Sequence, residues 1–186
     1  MVQLSLKRKM KVLFVMDRLQ DDDFGVPLSG HLGLKLSHLL LKESIPLGRL
    51  IQDQTVAEAI GHSYLKRIGV ETMFTGEESY YPDLLRGNRQ LLSTDEDYYK
   101  TVQRYAKHLL AVHSKCTKLH TIVLFGRSTQ RLFSDALIRL EEENAHVADT
   151  FQHMTILKMP AVSRMIRDER IQSIRQTVVE LAPSNS

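Results

Sequence analysis

A single cysteine, Cys116, in a chain of 186 residues excludes an internal disulfide framework and any all-cysteine metal cage. No apolar run approaches the length that crosses a bilayer, so no membrane attachment is expected. Lys7, Arg8, Lys9 and Lys11 precede an apolar stretch, but that stretch is too short for a signal peptide and runs into Asp17. Internal repeats and low-complexity tracts are also missing, which removes solenoids and disordered arrays. Together these absences predict an intracellular, cofactor-independent protein with one domain over residues 1–182 and a tail at 183–186.

What is present is ordinary in amount and uneven in placement. Apolar residues make up 42% of the chain and charged residues 25%, within the range of globular domains. The net charge of +3 leans basic without being extreme. Lys158, Arg164, Arg167, Arg170 and Arg175 stand close together against Asp168 and Glu169, while Glu141, Glu142 and Glu143 make a separate acidic spot. A basic segment of this kind can face phosphate, and a solvated helix face is the commoner use of it.

The rest of the chain is organised around Lys11 to Leu41. Val12 to Val15 is a β-branched and aromatic run suited to a buried strand. A polar stretch, Asp17 to Asp23, interrupts it, and a Gly/Pro-punctuated turn over 24–30 leads into a helix from about His31. On that helix Leu32, Leu36, Leu39 and Leu40 fall on the face that covers a sheet. Ligands of open α/β sheets sit at the carboxyl ends of the strands, so the loop Asp17 to Gly30 is the first place to look for chemistry.

Further along, Leu47 to Ile51 reads as an edge strand or a loop. Thr55 caps a helix to about Arg67 that Gly69 ends, and Val70 to Thr75 reads as a strand. The stretch Gly76 to Leu92 is long and irregular, and its tyrosines and arginines, Arg89 among them, suit stacking and phosphate contact or simply pin the loop. Ser93 and Glu96 form a capping box for a helix to about His113, with Tyr98, Val102, Tyr105, Leu109 and Val112 on its buried stripe. Thr121 to Phe125 is the clearest strand, and Gly126-Arg127-Ser128-Thr129 after it opens another helix whose free N–H groups can meet an anion. Met154 to Leu157 is the last strand, Lys158 to Arg164 the last loop, and a helix from Asp168 to Leu181 closes the domain. Alternating strands and helices predict an α/β fold with a central, mainly parallel sheet covered on both faces.

Several of these pieces, in this order, resemble the uracil-DNA glycosylase superfamily, in particular its iron-sulfur-containing branch. They are Phe14-Val15 with Asp17, Gly25-Val26-Pro27-Leu28-Ser29-Gly30-His31-Leu32-Gly33, Arg86-Gly87-Asn88-Arg89, Leu124-Phe125-Gly126 and Met159-Pro160-Ala161. The resemblance implies a three-layer α/β/α sandwich that flips a base out of DNA and hydrolyses its N-glycosidic bond. It places a carboxylate or amide in the first loop, here Asp17, and a leaving-group donor, usually histidine, in the last loop.

The departures bear on activity. The first-loop glycines are replaced at Met16 to Gln20, the aromatic that stacks on the flipped base falls at Leu28, and the histidine of the last loop falls at Met159. Three of the four cluster cysteines have no counterpart, so no iron-sulfur cluster and no other cofactor is expected. Losing one oxyanion-type donor lowers a rate by about 10²–10³, and here the donor, the ring and the glycines are lost together. The chain is therefore expected to bind DNA or a protein partner with its hydrolysis lost or redirected. The alternatives are an active glycosylase for a modified base and a structural subunit of a larger assembly.

Candidate residues follow from the two readings. Asp17 and Lys158 are candidate catalytic groups, and Leu28 and Met159 line the candidate base pocket. Arg89, Arg127, Ser128, Ser163 and Arg164 are candidate DNA or phosphate contacts. Each has a plain structural use as well, as a solvated carboxyl, a packed apolar side chain or an exposed arginine. Asp21, Asp22 and Asp23 suit a turn better than a cation, and neither His31 with His38 nor His108 with His113 has metal-ligand spacing, so no metal is expected.

Overall fold

The computed structural model describes residues 3–4, 7–73, 96–161 and 170–182. Along the chain run β1 (Gln3–Leu4), β2 (Val12–Met16), α1 (His31–Leu41), α2 (Leu47–Gln52), α3 (Gln54–Ala59), β3 (Ile68–Thr72), α4 (Glu96–Lys115), β4 (Thr121–Phe125), α5 (Arg127–Gln152), β5 (Thr155–Met159) and α6 (Arg170–Val179). The sheet order is β1-β3-β2-β4-β5. The four strands β3, β2, β4 and β5 are parallel, and β1 joins β3 antiparallel at one edge.

Alternation within the strands divides the core into two layers. Leu13, Val15, Ile122 and Leu124 turn to one face, where the apolar stripes of α4 and α5 cover them. Val12, Phe14, Val70, Val123 and Phe125 turn to the other, against α1, α2 and α6. There Phe14 and Phe125 meet edge to face, with ring centres 5.5 Å apart. The result is the α/β/α sandwich that the alternation of elements predicts.

Several boundaries differ from expectation. Leu47 to Ile51 is neither strand nor loop: Pro46 precedes a helical turn whose Leu47, Leu50 and Ile51 are all buried at i, i+3 and i+4. Asp53, not Thr55, caps the next helix, accepting the N–H groups of Thr55 and Val56 at 3.1 and 3.3 Å. That helix stops at Ala59 and not near Arg67, because Gly61 turns left-handed at φ 83° and a 3₁₀ turn, Ser63–Arg67, follows. Gly69 lies inside β3, where a β-carbon would run into the Met10 sulfur, so any side chain there would have to displace the methionine. The expected strands at Val70 to Thr75 and Met154 to Leu157 begin two residues earlier and one later, respectively, at Ile68 and Thr155. The first of these ends at Thr72, short of the expected Thr75, while the capping residue Ser93 and Gly76 to Leu92 lie outside the described residues.

The α4 layer holds a polar cluster within its apolar core. Glu71 of β3 is wholly buried, with the Tyr105 hydroxyl donating to Oε1 at 2.5 Å and His108 Nε2 2.6 Å from Oε2. Closer to the start of α4, the Tyr98 hydroxyl donates to Asp135 of α5 at 2.5 Å. Burial, reinforced by the acid each faces, pushes both phenols above the ordinary value of 10.0. The stabilisation this represents is complete below that value. Above it the unfolded chain ionises before the folded one, so stability falls as pH rises. Tyr98 and Tyr105 should release their protons only on alkaline unfolding. Difference absorbance of phenolate against pH checks this, and titration of all the tyrosines in the folded protein would contradict it.

Candidate functional site

The loop after β2 is built on one buried carboxyl group. Asp23 is 1% exposed. Its Oδ1 accepts the N–H groups of Ser29 and Gly30 at 3.0 and 2.9 Å, and its Oδ2 accepts that of Gln20 at 3.0 Å. Its backbone oxygen accepts the Ser29 hydroxyl and the Val26 N–H. Its neighbour Asp22 accepts the His31 N–H at 2.5 Å, an acid set at the positive end of α1. The acidic run is thus a staple and a helix cap. Among the described residues no group of three metal-ligating side chains is placed to hold an ion.

Close packing fixes the second half of the loop. Leu28 adopts φ 60°, and its carbonyl accepts the Gly48 N–H at 2.8 Å. A β-carbon on Gly33 would run into that same carbonyl, and one on Gly48 into the carbonyl of Pro27. Both helices therefore carry glycine where they touch the loop. The loop tip is different. Phe24 is left-handed at φ 47°, a conformation that costs about 1–2 kcal/mol for a residue with a side chain. Phe24 is 84% exposed, and Gly25 beside it has nothing within 4 Å of where a β-carbon would stand.

The loop sits on a rim made by the strand ends. Val15 pairs with Glu71 and Leu124, and Leu124 with Lys158. Two residues further on, Met73, Asp17, Gly126 and Pro160 therefore leave the sheet at one level. Asp17 is half-exposed and accepts the Arg18 N–H at 2.9 Å. Gly126 turns at φ 90° and donates its N–H to Met159 O at 3.0 Å, and the Gln130 side chain donates to the same oxygen at 2.7 Å. Exposed Arg127 and half-exposed Ser128 open α5 on this rim, whose start has no side-chain cap.

The remaining sequence candidates fall in three places. Leu28 and Met159 are each 1% exposed and belong to the core under the sheet, so neither side chain faces outward to meet a base. Lys158 is exposed on β5, the outermost strand, where a lysine also guards an open edge against pairing. Arg89, Ser163 and Arg164 lie outside the described residues. Sequence reasoning passed over two features. One is Phe24, an aromatic between an acidic run and a glycine. The other is Glu71, an acid inside a wholly buried strand, opposite a tyrosine and a histidine one helical turn apart.

Removing the Asp23 carboxyl orphans three backbone donors, so Asp23→Ala should destabilise the fold by about 2–4 kcal/mol, whereas exposed Asp21→Ala should change it by less than about 0.5 kcal/mol. Phe24→Gly should leave stability unchanged or raise it by up to about 1 kcal/mol, since left-handed strain is relieved and little burial is lost. Urea unfolding of the three variants is the check, and equal effects of the two aspartates would refute the staple. The sequence matches no model of a known protein family, and no curated protein matches it significantly.

Proposed function

We propose that this chain is a uracil-DNA-glycosylase-like domain that binds DNA along the rim of its parallel sheet, with N-glycosidic hydrolysis lost or redirected. The observation that carries this reading is the gathering of dispersed motif pieces at one level. Asp17, Gly126 and Pro160 come from three separate stretches of the resemblance and leave adjacent parallel strands side by side. The three-layer sandwich agrees with the fold that the resemblance implies.

The division of labour follows from what each piece presents. The uncapped first turn of α5, with Arg127 and Ser128, offers N–H groups, a hydroxyl and a fixed positive charge to a phosphate. Among the described residues, Asp17 is the acid that directly follows β2 on this rim, and its side chain takes no part in the Asp23 staple. Leu28 and Met159 are packed inward, which leaves the rim without a stacking ring or a donor at the positions where the resemblance places them. Binding without uracil excision is the consistent outcome.

Affinity for single- and double-stranded oligonucleotides should fall steeply with added salt. Arg127→Ala should weaken binding and reduce the salt slope by about one contact. Uracil-containing strands should stay intact when scored at abasic sites. Uracil excision that disappears in Asp17→Asn would instead make the chain a working glycosylase. Stable copurification with a protein and no salt-dependent DNA affinity would replace the reading with that of a structural subunit.

A further inference from the structure

Phe24 combines three properties that seldom coincide. The residue is 84% exposed, its backbone is left-handed, and the loop on either side of it is held by the Asp23 carboxyl, which bonds to Gln20 before it and to Ser29 and Gly30 after it. An exposed apolar ring contributes little to folding, and glycine suits the left-handed position better. Strain kept at an exposed position of a rigid loop points to use in binding. Because the backbone is already ordered, a ligand meeting the ring does not have to order it.

We infer that Phe24 is a stacking platform for an unpaired nucleobase of the bound strand. This rests on the DNA-binding reading above and extends it to a residue and a substrate form. A flat ring standing clear of the surface gives any base a face to stack on, whatever its sequence. Charge around the tip fits a base better than a phosphate there. Asp21, three residues before Phe24 in the chain, is exposed, while Asp22 and Asp23 are turned onto backbone N–H groups. The phosphates run instead past Arg18 and Arg127, both exposed at the rim. A base in a duplex has its faces covered by its neighbours, so the platform selects single-stranded or unstacked nucleotides.

The chain contains no tryptophan, so Phe24→Trp places a lone indole fluorophore at the loop tip. Fluorescein-labelled oligothymidylate is titrated against wild type, Phe24→Ala and Phe24→Trp by anisotropy, and indole emission of the last is followed with unlabelled oligothymidylate. Phe24→Ala should bind roughly 5- to 150-fold more weakly, the range that stacking one base on an aromatic ring represents. Phe24→Trp should keep or improve the affinity, and its emission should be quenched in proportion to occupancy. Binding by wild type with no loss in Phe24→Ala and no quenching overturns this inference and leaves the DNA-binding reading standing. No binding by wild type overturns both.

Discussion

The carboxyl group of Asp23 is the fixed point of the loop on which the functional reading depends. A run of three consecutive aspartates directly before a glycine- and proline-rich turn would otherwise be a repulsive, solvated segment. Burying one of them is favourable only because backbone N–H groups from both sides of the turn converge on it. That convergence closes the loop, sets Asp22 at the start of α1 and brings Leu28 down into the core. Glycines at 33 and 48 then allow α1 and α2 to approach until their backbones touch the loop carbonyls. An acid, two glycines and a left-handed leucine thus convert a flexible connection into a rigid platform.

The sheet supplies the other half of the arrangement. Parallel pairing in register brings the ends of β2, β4 and β5 to one rim, and the hydrogen bond from Gly126 to Met159 ties two of the following loops together. Helices on both faces leave only the rim and the edges for a ligand. The buried Glu71, Tyr105 and His108 cluster fastens α4 to β3 below that rim, so the rim is carried by a layer with polar as well as apolar attachments.

Much of the architecture was legible because period and punctuation agreed. The buried stripe of α4 at Tyr98, Val102, Tyr105, Leu109 and Val112 and the apolar run of β4 follow directly from spacing. Where reading failed, a short element was decided by tertiary contact. Leu47 to Gln52 has too few residues for its helical period to stand out from an apolar strand, and only burial against the loop distinguishes them. Gly69 looked like a helix stop because a strand glycine chosen for its closeness to Met10 has no local signature. At the candidate site, the acidic loop and the start of α5 were visible as chemistry-bearing types at strand ends. The roles within them were not: nothing local says which of three aspartates is buried, or that Phe24 points outward while Leu28 points inward.

The functional account joins these parts: a stapled loop with an exposed ring, a half-exposed acid at Asp17, and an uncapped helix start with Arg127, all along one rim. Residue-resolved amide hydrogen exchange, with and without oligothymidylate, addresses the whole of it at once. The account predicts that Gln20, Ser29 and Gly30 exchange slowly in the free protein, and that added oligonucleotide slows exchange further along residues 18–31 and in the first turn of α5. Fast exchange of Ser29 and Gly30 in the free protein, or oligonucleotide protection confined to surfaces away from the rim, would contradict it.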